Sequence, residues 1–244
     1  GNWAGILRTS KFKIKQHLSK KEKKKLKKKG KTIPKKNGTY LTLYNPLINN
    51  TKNIPSVKSY VMNKTGEAIY YTTSYKYNDS IDSCFLYRFN TKNATSQLLN
   101  KELGEIIQLT SSKSGNQFSY LFSSDTAKEK THQLYYWNTS LAKPILIVDT
   151  LSEKFSKSKS VSKYYSPYFS DNGDYLFFKV GNKPIQEKKD SLIDDEKYSL
   201  DLWSWTDNRI QPQQLKSIKK DKKKADFFIY QTAKKTYYQL ADST

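Results

Sequence analysis

A short hairpin motif recurs along the chain and constrains its fold more than any other feature. In each copy a β-prone run leads into a polar turn closed by glycine, and an aromatic or aliphatic strand follows. The closing residues are Gly66, Gly115 and Gly173, separated by 49 and 58 positions. Glycine accepts positive φ in such a turn at little steric cost. Recurrence at this spacing indicates a tandem array of small antiparallel sheets.

A second hairpin follows each glycine-closed turn, and its aromatic residues alternate along the strand. Alternation with period two places the aromatic rings on one side of each strand. Two hairpins per unit make a four-stranded antiparallel sheet, and such sheets in tandem favour a β-propeller over the alternative, a β-sandwich with coincidental spacing. The leading strands are predicted at Phe85–Phe89, Leu134–Trp137 and Leu200–Trp205, with return strands at Gln97–Leu99, Ile145–Val148 and Gln214–Leu215.

The predicted fold class is all-β and β-propeller-like, with consecutive four-stranded antiparallel blades. We expect three whole units plus partial ones, as part of a larger propeller, because closed propellers have four or more blades. A basic segment with an insertion loop precedes the blades, which span residues 37–244. The predicted units are residues 57–104, 105–155 and 159–223, with a partial unit at 225–244, half of an earlier unit at 40–57, an insertion at 181–198 and a surface loop at 216–224.

Net charge is concentrated at the start of the chain. The whole sequence carries +22, and residues 1–36 alone carry +14, with one short strand candidate at Phe12–Ile14. Such a lysine tract either contacts nucleic acid or an anionic membrane, or is a solvated insertion between strands. Base recognition needs interleaved arginine or aromatic residues, which the tract lacks, so we favour the insertion and expect no specific nucleic acid partner.

Few residues offer catalytic chemistry, and we predict no catalytic, cofactor-binding or metal-binding site; substrate-binding residues are not identified. A Ser-His-Asp arrangement would have to use His17 or His132, and the sequence contains no Gly-x-Ser-x-Gly motif. Cys84 is the only cysteine, so no internal disulfide forms, and we expect it to be buried. An acidic cluster in the 181–198 insertion could hold a cation or a peptide amino group, but a solvated loop is favoured. Its members are Asp190, Asp194, Asp195 and Glu196.

Several stretches resemble the N-terminal propeller of S9-family serine peptidases, the prolyl oligopeptidase and dipeptidyl peptidase-like enzymes. The most specific is Asp195–Leu215, where a Leu-Asp-Leu-Trp-Ser-Trp-Thr-Asp segment precedes Ile-Gln-Pro-Gln-Gln. The stretches Thr39–Tyr44, Ile54–Tyr60 and Ser166–Phe178 are also similar. The family's substrate-binding acidic pair has no matching motif here, because the neighbours of Asp194, Asp195 and Glu196 differ.

The resemblance implies a function. In that family the propeller precedes an α/β-hydrolase domain with the Ser-Asp-His triad and restricts access of peptides to it. The chain is therefore expected to be the non-catalytic, substrate-gating propeller of a bacterial S9-like peptidase whose hydrolase domain is absent here, with no cofactor. The alternatives are a stand-alone propeller that binds proteins or peptides, and a nucleic-acid or envelope-binding module using residues 11–36. We also expect a periplasmic or secreted location, no transmembrane segment, and self-association through open strand edges.

Overall fold

The computed structural model describes residues 3–8, 39–77, 81–127, 129–149, 156–184, 204 and 206–243. Within these ranges the chain forms fifteen strands and one helix, which confirms the predicted all-β class. The strands are β1 (Ala4–Arg8), β2 (Thr39–Asn45), β3 (Asn50–Met62), β4 (Ala68–Lys76), β5 (Asp82–Asn90), β6 (Thr95–Leu103), β7 (Glu105–Ser111), β8 (Gln117–Ser123), β9 (Gln133–Asn138), β10 (Ile145–Val148), β11 (Lys159–Val161), β12 (Tyr168–Phe169), β13 (Tyr175–Asn182), β14 (Ala225–Gln231) and β15 (Thr236–Ala241). Helix α1 (Gln211–Asp221) lies between β13 and β14.

The strands form three antiparallel sheets that follow one another along the chain. The first sheet contains β1 to β6 in sequence order, and the second contains β7 to β10. In the third, β11 and β12 both pair with β13, which is followed by β14 and β15. Successive strands joined by short turns pair antiparallel, as hairpins require. This order confirms the prediction of consecutive antiparallel blades.

The turns at Gly66, Gly115 and Gly173 share one construction. Their φ angles are 68°, 74° and 80°, in the region that favours glycine. In each turn the glycine N–H donates to the carbonyl three residues earlier at 3.0 Å. A threonine N–H of the next hairpin donates to the carbonyl of the residue after the glycine, at 3.0 to 3.1 Å; these threonines are Thr91, Thr139 and Thr232. The recurring hairpin predicted from the sequence is therefore one recurring structure.

The third sheet corrects the predicted unit boundaries. β13 pairs with β14 over Tyr175–Gly181, and β14 pairs with β15. The hairpin at residues 225–241 therefore completes the third sheet. The prediction that residues 225–244 form part of a further unit is wrong. Residues 183–224 separate the paired strands in sequence, and an assignment by local spacing cannot detect pairing across such a gap.

Helix α1 corrects two further predictions. Gln214–Leu215 was predicted to be a strand and Lys216–Lys224 a surface loop, but α1 covers the first and much of the second. Pro212 lies in the first turn of the helix, where its fixed φ suits the conformation and its missing N–H costs nothing. Of the predicted strand Leu200–Trp205, only Ser204 is described, and the strand candidate Phe12–Ile14 also lies outside the described residues.

The additional hairpin predicted at residues 40–57 is part of the first sheet. β3 is one strand of 13 residues that bends at Ser56, where φ is 58°. Its first half pairs with β2 and its second half pairs with β4. Because β3 runs through the bend, the earlier half-unit is covalently and structurally continuous with the first blade.

The hydrophobic core consists of three clusters, and two of them lie between consecutive sheets. Tyr70 of β4 and Phe118 of β8 stack with ring centroids 4.3 Å apart between the first and second sheets. Leu121 and Tyr136 of the second sheet pack with Phe178 of the third. A third cluster lies within the first sheet and comprises Trp3, Leu41, Leu43, Ile54, Val57, Ile69, Tyr71 and Phe89. Sheet-on-sheet packing of this kind is the arrangement expected of propeller blades.

We predict that Gly115→Ala destabilises the protein by about 2 kcal/mol, because a left-handed conformation costs an L-residue about 1–2 kcal/mol. The new Cβ would also lie 2.6 Å from Nδ2 of Asn63, which donates to the Lys113 carbonyl at 3.3 Å. Urea unfolding monitored by tryptophan fluorescence measures the loss. Lys113→Ala, an exposed change in the same turn, is the control, and equal stability of the two variants would contradict the prediction.

Candidate functional site

A cleft lies between the first and second sheets, at the end opposite the glycine-closed turns. Its volume is about 620 Å³. One wall comes from β3, β4 and β5 of the first sheet, and the other from the start of β7 and the segment after β8. The cleft therefore lies where strand ends of two blades meet, and both blades supply its side chains.

Gly104 brings these two sheets together. It is the single residue between β6 and β7, and its φ is 150°. A Cβ at this position would lie 2.2 Å from the Ser123 carbonyl oxygen, so only glycine fits. Its N–H donates to the Asp82 carbonyl at 2.9 Å. The tight connection fixes the start of β7 beside the start of β5 and so shapes the cleft.

Two ion pairs line the cleft, one from each sheet. Lys58 Nζ lies 3.5 Å from Asp82 Oδ2, and the Ser74 hydroxyl also donates to that oxygen at 3.3 Å. Across the cleft Lys130 Nζ lies 2.7 Å from Glu105 Oε2. All four side chains retain contact with solvent. Paired acids and bases on facing walls suit the charged and hydrogen-bonding groups of a peptide.

A third acid, Asp125, is fixed beside these pairs. Burial alone would raise the pKa of Asp125, but hydrogen bonds from Thr131, with the nearby His132 and Lys130, outweigh it, and the pKa is lowered. The Thr131 N–H donates to Asp125 Oδ2 at 2.8 Å and the Thr131 hydroxyl donates to it at 2.5 Å. The carboxylate is therefore ionised at neutral pH and held in one orientation.

Cys84 is buried at the bottom of the cleft, as the sequence predicted. Its thiol donates to the Gly104 carbonyl at 2.8 Å. Burial raises the pKa of the Cys84 thiol, and hydrogen bonding to Ser74 only partly offsets this. A thiol held protonated is a poor nucleophile, so the cleft contains a hydrogen-bonded structural cysteine and not an activated one.

We predict that the Cys84 thiol in the native protein reacts with iodoacetamide far more slowly than in the unfolded chain. The reason is that both burial and a raised pKa reduce the accessible thiolate at neutral pH. The rate should continue to rise with pH beyond the ordinary thiol range. Mass spectrometry of the alkylated peptide measures it, and equal rates in native and urea-unfolded protein would show that the thiol is not protected.

His132 is 3% exposed and lies directly before β9. Burial lowers its pKa, although the nearby Glu105 acts in the opposite direction. Within the described residues no serine hydroxyl or carboxylate forms a hydrogen bond with its ring, so it is not assembled into a catalytic triad. His17 and the acidic cluster Asp190, Asp194, Asp195 and Glu196 lie outside the described residues. Among the residues the structure does describe, no group of three potential metal ligands occurs.

We predict that His132 makes stability fall as pH decreases from neutral through the ordinary histidine pKa of about 6.5. The unfolded chain takes up a proton near the ordinary histidine pKa, whereas folded His132, with its lowered pKa, does so only at lower pH. The contribution of neutral His132 to the free energy of unfolding is therefore fully present above about pH 6.5 and decreases below it. Thermal unfolding of wild type and His132→Gln across this range measures the effect, and an identical slope in both would refute it.

A smaller cleft of about 320 Å³ lies at the same end of the third sheet. Lys159 forms an ion pair with Asp226, whose side chain is only 5% exposed, and Arg209 Nη1 lies 2.9 Å from Asp221 Oδ2. Burial alone would raise the pKa of Asp226, but bonds from Lys159 and Ser243 lower it. The first pair joins β11 to β14 and the second joins the end of α1 to the segment before it, so this cleft is mainly structural.

Sequence analysis did not identify Lys58, Asp82, Glu105 or Lys130 as site residues. Each is an ordinary charged residue that no local motif distinguishes. Asp82 and Glu105 are the first residues of β5 and β7, whereas Lys58 lies inside β3 and Lys130 lies before β9. Position along the strands would therefore have indicated only the two acids. The way in which the two sheets pack determines which of these side chains face one another, and the sequence does not reveal that packing.

Comparisons with known proteins establish the fold. No protein-family model and no curated protein matches the chain. Among solved structures, Porphyromonas gingivalis dipeptidyl peptidase 4 matches with TM-score 0.50 and 10% identity over 85% of this chain and 30% of that chain. The β-propeller domain of the Trilobed protease from Pyrococcus furiosus matches with TM-score 0.49 and 9% identity over 99% and 55%. A putative TolB from Agrobacterium tumefaciens matches with TM-score 0.44 and 11% identity over 84% and 57%.

The chain spans about 30% to 57% of the length of these proteins. Its fold is that of a β-propeller, and the resemblance to S9-peptidase propellers inferred from the sequence is confirmed at the level of the fold. No helix in the described ranges is long and apolar enough to cross a lipid bilayer.

Proposed function

We propose that this chain is the non-catalytic propeller portion of an S9-like serine peptidase, which gates or selects peptide substrates for an α/β-hydrolase domain. The cleft between the first two sheets is the proposed peptide-contact surface, because it presents fixed charges of both signs on two blades. Burial keeps the Cys84 thiol in the cleft protonated, and the proposal assigns the hydrolytic step to the other domain. A periplasmic or secreted location fits a peptidase of this kind.

The observation that carries the proposal is a difference in burial between the sheets. The central strands β4 and β8 are buried on both faces over most of their length, because packing covers both sides. In β13 the buried and half-buried positions alternate, so only one face is covered. The outer face carries a ring stack in which Phe177 lies 4.9 Å from Tyr168 and 5.7 Å from Phe227. A half-buried aromatic face on the last sheet supports a larger propeller, in which a further sheet would cover it.

We predict that the isolated chain self-associates reversibly through this outer face, since exposed aromatic surface drives association. Phe177→Glu places a charge in the ring stack and should shift the protein to monomer in sedimentation velocity. Tyr44→Glu, an exposed tyrosine on β2, is the matched control. A chain that is monomeric at all concentrations, or a Phe177→Glu variant that associates like wild type, would show that the face needs no covering sheet.

The full gene product that contains this chain tests the gating role. We expect it to hydrolyse short peptides, whereas the isolated chain is inert. The double variant Asp82→Asn, Glu105→Gln should raise KM for peptides by up to about fivefold per lost ion pair, since half-exposed pairs contribute at most about 1 kcal/mol each. Hydrolysis of a small ester, which does not contact the cleft, should be unchanged.

Glu67→Gln is the control, because Glu67 pairs with Lys92 at 3.0 Å at the opposite end of the first sheet. A gene product without hydrolytic activity would exclude the peptidase role. The second candidate, a stand-alone propeller that binds peptides, would then be supported if peptide binding to the isolated chain depends on Asp82 and Glu105. If the chain binds nucleic acid and deletion of residues 11–36 abolishes that binding, the nucleic-acid or envelope-binding module would be supported instead.

A further inference from the structure

Helix α1 has its apolar side chains on the outside. Its less exposed positions are Gln211, Gln214, Ser217 and Asp221, which recur at helical spacing and are all polar. Leu215 and Ile218 are 60% and 42% exposed and lie three residues apart. Each follows one of the polar positions by four residues, so the apolar pair borders those positions on the helix surface. Ile210, which precedes the helix, is 65% exposed. A surface helix ordinarily has the reverse arrangement, with its apolar stripe against the core.

Polar contacts hold the helix in this orientation. Arg209 Nη1 donates to the Ser217 hydroxyl and to Asp221 Oδ2, both at 2.9 Å. Gln214 Nε2 donates to Asp207 Oδ2 at 3.2 Å and to the Arg209 carbonyl at 2.8 Å. The two acids of this segment are thus bound on the inner side. These bonds join α1 to residues 207–210 directly before it, and they leave the apolar ridge of Ile210, Leu215 and Ile218 exposed.

Lysines surround the ridge. Lys216 and Lys220 are exposed on α1, and Lys222 and Lys223 are exposed just beyond its end. We call these four lysines with Ile210, Leu215 and Ile218 the helix patch. The patch continues into two partly exposed tyrosines. Lys223 Nζ lies 5.7 Å from the ring centroid of Tyr164, and Lys179 Nζ lies 4.1 Å from that of Tyr165.

We propose that the helix patch docks on the surface of an anionic phospholipid bilayer. Aliphatic side chains flanked by lysines are the pattern of helices that lie in the membrane interface, with the apolar side among the acyl chains and the lysines at the headgroups. Tyrosine is enriched at the same depth. The surface is cationic, so it complements an anionic leaflet. The inference uses none of the residues assigned to the peptide cleft and stands apart from the proposed function.

Nucleic acid fits the helix patch less well. Its binding relies on arginine and on aromatic faces that stack with bases. The patch offers aliphatic side chains in place of stacking surfaces, and lysine ammonium groups lie over the rings of Tyr164 and Tyr165. An exposed aliphatic ridge gains most from insertion into an apolar phase.

Vesicle co-sedimentation of the full chain tests the proposal. We expect binding to vesicles of phosphatidylcholine with phosphatidylglycerol, and much weaker binding to phosphatidylcholine alone. Leu215→Ser with Ile218→Ser should lower the partition coefficient about tenfold or more, since both apolar side chains leave the acyl region. Lys216→Gln with Lys220→Gln should lower it about fivefold per lysine. All four positions are exposed or partly exposed, so the fold should be retained, as circular dichroism will verify.

The chain offers matched controls. Leu47→Ser with Ile48→Ser removes an equally exposed Leu-Ile pair far from α1 in sequence, at 72% and 65% exposure. Lys113→Gln with Lys234→Gln removes two exposed lysines from hairpin turns. Binding through the lysine tract at residues 11–36 would contribute equally to every variant. The proposal is overturned if the Leu215/Ile218 variant binds as wild type does, if its controls lose as much, if neutral vesicles bind equally, or if the same variants weaken binding to duplex DNA instead.

Discussion

The contact between Tyr70 and Phe118 joins the two features on which the rest of the structure depends. The rings stack in the core between the first two sheets, and the Tyr70 hydroxyl donates to the Gly115 carbonyl at 2.6 Å. Burial raises the pKa of Tyr70 to about 12, against the effect of Arg88. One side chain thus fills the core and fixes the following glycine-closed turn. The first sheet in this way sets the position of the second through both apolar packing and turn geometry.

The sequence predicted what is encoded locally. Positive φ at the three turn glycines follows from the residues around them, and the alternating strands follow from side-chain periodicity. Pairing of β13 with β14 could not be predicted in this way, because the partners lie on either side of residues 183–224. Local spacing instead assigned the return hairpin to a new unit. Helix α1 was not predicted, because the repeat pattern assigned Gln214–Leu215 to a return strand and the segment has too few apolar residues to show a helical period.

The cleft was the least predictable part. Its four charged side chains come from two sheets, and their approach depends on Gly104, where the close Ser123 carbonyl excludes any Cβ. A glycine of this kind differs from the turn glycines, because it is required by the contact between two blades. The polar cleft and the outer face of the third sheet both depend on how one blade packs against the next. Residues at the blade boundaries determine that packing, and the residue pattern of a single strand does not predict it.

The long gap before β14 has a consequence for the order in which the chain folds. The first two sheets consist of strands that are consecutive in sequence, so each can close soon after synthesis of its last strand. In the third sheet, β13 cannot pair with β14 until residues 225–241 have been synthesised. Contacts across such a separation form slowly, because a long loop must close first. During synthesis on the ribosome, the edge of β13 that later pairs with β14 is therefore exposed for longer than the strand edges of the first two sheets.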